Sequence, residues 1–135
     1  MNIWIDAQLS PRLARWIIVR GVPVAPMTKP ERDLKNSFPE FAAELESLLI
    51  AAGEKDLAAE VATLRLVDRC RCGDWFCATV YCAPRPPGAW GPRHKTICLD
   101  PSKGMINVDV VDGKVVEIEV LYRDDLRDKL LSLLP

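Results

Sequence analysis

The sequence predicts an α+β fold, with helices packed on one face of a mainly antiparallel, meandering sheet and a short βαβ-like addition at the N-terminus. Three observations carry that expectation. Apolar residues between positions 41 and 64 recur at helical spacing, whereas Ile106, Val108 and Val110, and then Val116, Ile118 and Val120, alternate with polar residues. The alternating runs flank Asp112-Gly113, the dipeptide best suited to a two-residue hairpin turn. The residues between those apolar ones, Asn107, Asp109, Glu117 and Glu119, are polar, which marks a sheet covered on one side and wet on the other. At 135 residues, with 18 basic and 19 acidic side chains, the chain is long enough for one ordinary core and has no charge excess to draw it to nucleic acid or an anionic membrane.

Residues 2 to 6 read as a short strand. Ser10-Pro11 then starts a helix through Leu13, Trp16 and Ile17, Gly21 ends it, and Val22 to Met27 returns extended. Residues 1–26 are therefore expected to be a β-α-β extension, and 27–135 the main domain. Thr28 to Ser37 reads as a polar linker, and Ser37 with Glu40 as a capping box for a helix carrying Phe41, Leu45, Leu48, Leu49 and Ala52 up to Gly53. Asp56 is placed to cap a second helix with Leu57, Val61 and Leu64 on one face. Leu64–Arg71 and Trp75–Cys82 read as a hairpin turning at Gly73-Asp74, with Trp75 and Tyr81 in the core. The segment 83–95 holds four prolines and two glycines and is expected to be irregular. Strands follow at 94–99, 105–111 and 115–122. A last helix begins near Asp124, with Leu126, Leu130 and Leu134 in one stripe.

The cysteines pose the main chemical question. Four of the five fall between positions 70 and 82. Cys70-x-Cys72 sets two thiols on one face of a strand, Cys77 returns on the facing strand, and Cys82 completes a candidate ligand set, with His94 as the other fourth donor. A structural zinc is one reading. The other is that the thiols pack as small apolar side chains, because the C-x-x-C pairs usual in zinc sites are absent. No catalytic residue is assigned, since nothing in the spacing sets a base beside a thiol, and no cofactor other than a structural zinc is expected. The proline-stiffened loop offers Arg85, Trp90, Arg93, His94 and Lys95 as a partner-binding surface, rich in the residue types that dominate interfaces. No run is long and apolar enough to span a bilayer, and an odd cysteine count without an export signal points to the cytoplasm.

Two resemblances add expectations. The opening MNIWIDAQLSPRLARWI resembles the start of PIN-like proteins related to toxin nucleases, which would set Asp6 at the end of a first strand where such nucleases gather carboxylates on a divalent cation. No partner carboxylates follow in the corresponding settings, so catalysis is not carried over. From Leu45 to Tyr122 the layout resembles small uncharacterised bacterial proteins with an arginine–cysteine hairpin like Arg69-Cys70-Arg71-Cys72-Gly73 and a late hairpin like Val108–Gly113. Some of these are similar to immunity proteins. That resemblance implies a non-enzymatic domain binding a toxin-like protein partner. The alternatives are a zinc-stabilised domain with a nucleic-acid or regulatory role, and a PIN-like metal-dependent nuclease.

Overall fold

The computed structural model describes residues 32–135. The expected β-α-β extension at 1–26, Asp6 within it and the proposed boundary at Met27 lie outside the described residues.

Among the described residues, four helices lie on one face of a five-stranded antiparallel sheet, which is the α+β architecture the sequence predicts. The chain enters through α1 (Leu34–Ser37) and continues into α2 (Pro39–Ala51). A proline at the first position of α2 loses nothing, because that amide would have no helical partner anyway. Phe41, Ala42, Leu45 and Leu49 form the buried stripe of α2, and Gly53 leaves the helix at φ +81°, a conformation costly for any residue with a Cβ. The short α3 (Lys55–Glu60) and a 3-10 turn (Val61–Thr63) then bring Leu57, Val61 and Leu64 into the same core.

Two local expectations are corrected here. The capping box does not form: Ser37 closes α1, Phe38 takes the N-cap of α2, and no side chain caps either helix. Asp56 falls inside the first turn of α3, where its charge favours the helix dipole, and Glu54 precedes the helix. Nor is the linker structureless through Ser37. Leu34 is fully buried, its amide donates to the Leu64 carbonyl, and Leu66 donates to the Arg32 carbonyl, so burying one leucine outweighs the polar composition around it.

The strands are β1 (Asp68–Arg69), β2 (Val80–Tyr81), β3 (His94–Cys98), β4 (Met105–Val111) and β5 (Lys114–Leu121). Their order across the sheet is β1-β2-β5-β4-β3, with every pair antiparallel. Only β3, β4 and β5 form a meander, so the simple meander expected from sequence is corrected. After β2 the chain crosses to the far edge and returns, and β5 closes the gap by pairing with β2 at Val80↔Ile118 and Tyr81↔Glu117. The crossing is the proline-rich segment. Trp90 in it donates from Nε1 to Glu117 at 3.0 Å, which places the loop over the outer face of the sheet and covers part of a face expected to be bare.

The turn at Asp112-Gly113 has both residues at positive φ, 53° and 77°, as a two-residue hairpin of the mirror-image type requires. A register shift between Asp109 and Val110 lets both Val115 and Val116 be buried. Ile106, Val108, Val110, Ile118 and Val120 face the helices with essentially no exposure. Helix α4 (Asp124–Leu133) closes the layer through Leu126, Leu130 and Leu134.

Candidate functional site

The expected cysteine hairpin shrinks to two-residue strands, with Asp68 paired to Tyr81 and Arg69 to Val80. The Val67 amide extends the ladder at one end, donating to the Tyr81 carbonyl at 2.8 Å, and toward the bend it adds one bond, from the Cys70 amide to the Thr79 carbonyl at 2.9 Å. The intervening segment leaves regular structure, so the alternating-face argument for Cys70 and Cys72 does not describe how they meet. Gly73 at φ +82° swings the chain back, and a turn closed by the Cys77 amide on the Asp74 carbonyl returns Cys77 toward Cys70. Cys77 bridges to Leu121, and the Tyr122 amide donates to the Phe76 carbonyl at 2.8 Å, which docks the bend on the end of β5.

The result is a three-thiol cluster. The sulfurs of Cys70, Cys72 and Cys77 all lie within 4.8 Å of one another. Cys72 is exposed and the other two are half-buried, so an ion could reach the group. Zinc held by thiolates sits about 2.3 Å from each sulfur, which puts tetrahedral sulfurs roughly 3.8 Å apart. Sulfurs within 4.8 Å of one another are close enough for one ion to draw them to that spacing, and the all-sulfur donor set suits a soft or borderline ion.

Cys82 does not join them. It is packed against the hydrophobic core, and burial, with a smaller contribution from the Glu60 carboxylate, pushes its thiol up to about 12. A thiol so reluctant to ionise is a core side chain. The packing reading of the cysteines therefore describes Cys82, whereas the other three stand close enough together to hold an ion.

The cluster opens onto a hollow on the outer face of the sheet, floored by Thr79, Tyr81, Glu117 and Glu119 and flanked by Arg71 and Arg85. Tyr81, expected in the core, is buried here. Its pKa is pushed up to about 12 by burial first, then by the adjacent Cys70 thiol, with which it shares a hydrogen bond, and by Glu117. The Arg85 guanidinium lies 5.5 Å from the centre of the Tyr81 ring and acts in the opposite sense. Burial also raises Glu117, and Asp109 and Glu119 add to the effect against the stabilising bond from Trp90.

Trp75 corrects the sequence reading in the other direction. It is 67% exposed at the tip of the cysteine bend. Its ring meets Phe76 edge-on at 5.6 Å and Tyr122 at 6.2 Å, and Phe76 stacks on Tyr122 at 5.1 Å. Tyr122 is itself 53% exposed and sits at φ +61°, strained for a residue with a side chain. Sequence reasoning missed this aromatic group, because Tyr122 lies more than forty positions from the bend it joins.

The five residues proposed for partner binding are spread along the crossing loop and β3. Trp90 is bound to Glu117, Arg93 pairs with Asp112, and Arg85 lies over Tyr81. His94 Nε2 lies 2.7 Å from Asp109 Oδ1, which also accepts from the Thr96 hydroxyl. Lys95 is exposed on the edge strand. The structure thus sets four of the five against partners of their own fold, with Trp90 and His94 held on Glu117 and Asp109, which pair across neighbouring strands.

The chain matches no family model, curated protein or solved structure with which it was compared. Among the described residues no helix is long and apolar enough to cross a membrane.

Proposed function

We propose that this chain is a metal-stabilised, non-enzymatic protein-binding domain, in keeping with the immunity-like layout of its hairpins. A structural zinc on Cys70, Cys72 and Cys77 would fix the segment that presents the binding surface. The observation that carries this reading is the convergence of three thiols from a stretch with almost no ladder of its own. Thiolates held together repel one another, and a divalent ion turns that repulsion into a clamp. The clamp would hold the bend that carries Trp75, whose exposed ring is the kind of side chain that anchors an interface. Support for a binding role over a catalytic one comes from the polar groups. His94 is held by Asp109, and the thiols have a tyrosine and no imidazole beside them.

Metal analysis tests the proposal. Protein purified without chelator should carry about one zinc per chain; Cys72→Ser should lose it, and Cys82→Ser should keep it. Equal metal content in all three proteins, or none in the parent, would sink the reading.

A further inference from the structure

A three-thiolate ion has one position left, and the surroundings of this one select what fills it. We infer that the metal on Cys70, Cys72 and Cys77 keeps an open fourth position that takes a neutral imidazole from a histidine of a partner protein. The inference rests on the metal reading above and goes beyond it by naming the partner's donor.

Zinc prefers four ligands, and among the described residues no fourth histidine, cysteine or carboxylate joins the group. The chain's single histidine is His94, which is already bound to Asp109 and does not line the hollow. Cys82 is turned into the core. Asp74 lines the hollow but lies outside the thiol group.

Charge then discriminates between external donors. A divalent ion on three thiolates carries a net negative charge. The hollow adds the carboxylates of Asp74, Glu117 and Glu119 against the guanidiniums of Arg71 and Arg85. Arg71 is further committed to Asp68 at 2.8 Å and to the Pro135 carbonyl. An anionic fourth ligand, whether thiolate, carboxylate or azide, would enter against that field, whereas imidazole brings a good zinc donor without charge. The adjoining Trp75–Phe76–Tyr122 rings favour a histidine borne by a protein over a free small molecule, because they offer exposed apolar surface that only a larger partner would cover.

Cobalt(II) loaded onto the full chain provides the test, because its visible bands report both the sulfur ligands and the coordination number. The loaded protein should show intense sulfur-to-cobalt charge transfer that is lost in Cys72→Ser. Titration with imidazole should shift the visible bands saturably, azide should leave them unmoved, and Asp74→Asn should leave the starting spectrum unchanged. A cobalt–thiolate spectrum that ignores imidazole, responds equally to azide, or changes in Asp74→Asn would overturn the inference while leaving the metal site standing. Failure to take up cobalt with thiolate bands would overturn the metal reading itself.

Discussion

Several interactions converge on Arg123. It is 6% exposed, yet it bonds both oxygens of Glu44 at 2.8 and 2.9 Å and Asp125 at 3.1 Å, and it stands over the Phe41 ring. Gly104 makes room for it: a Cβ there would fall 2.5 Å from the Leu121 carbonyl oxygen and 2.9 Å from the Arg123 side chain, at a backbone φ of +73°. Gly104→Ala should therefore cost about 1–3 kcal/mol, read as a lower denaturant midpoint with an unchanged slope. Arg123→Ala should cost about 3 kcal/mol, since it strands Glu44 in a partly covered site. The bond from Arg123 holds the Asp125 carboxyl below its ordinary value of 3.8. Asp68 is also lowered, because the Arg69 amide and Arg71 outweigh the upward pull of burial. In both cases the unfolded chain binds protons first as pH falls. The stability these groups contribute is complete above the ordinary carboxylate range and drains away as pH drops through the depressed folded values. Asp125→Asn should flatten the acid limb of the stability curve by less than about 1 kcal/mol, the scale of a half-exposed pair. None of this was legible beforehand, because Glu44 and Arg123 are distant in sequence and each looks like an ordinary surface charge.

The segment from β1 to β2 behaves differently from the rest of the sheet. Its strands are two residues long, and an isolated pair of that size has no stability of its own. It is held by docking on β5 and, on the reading proposed here, by the metal. Chelation should therefore raise amide exchange across residues 70–77 before it touches β4 and β5, a difference that hydrogen-exchange mass spectrometry would resolve. Uniform protection with and without chelator would count against the clamp. The β4–β5 hairpin was legible down to its turn, because alternation and Asp-Gly act within a few residues. The cysteine bend was legible only as a bend. Alternation assigned its thiols to strand faces, whereas the convergence arises from two turns at Gly73 and Asp74–Cys77 that leave the strand altogether.

The core that joins helices and sheet is built without the three clustered thiols. Leu45, Leu49, Ile106, Ile118 and their neighbours form one continuous cluster with no measurable or almost no exposure. Leu45→Ala should cost about 2–5 kcal/mol, the loss expected from an unrelaxed core cavity. Removing metal should cost an amount at the lower end of that range. A site filled at a hundredfold excess over its dissociation constant adds about 2.7 kcal/mol, or roughly 10 °C of melting midpoint in a chain of this size. Calorimetry with and without chelator should show that downward shift and a transition that stays cooperative.

Periodicity and the Asp-Gly turn dipeptide were enough to assign the α+β class, the buried stripes of α2 and α4 and the late hairpin, because those signals depend on contacts a few residues apart, whereas neither proposed helix cap formed. Tertiary contacts alone decided that β2 pairs with β5, that the proline-rich loop crosses the outer face on a Trp90–Glu117 bond, and that Cys82 parts from the other three thiols. Each of those outcomes turns on which distant surfaces compete to bury the same side chain, and local spacing carries no record of that competition.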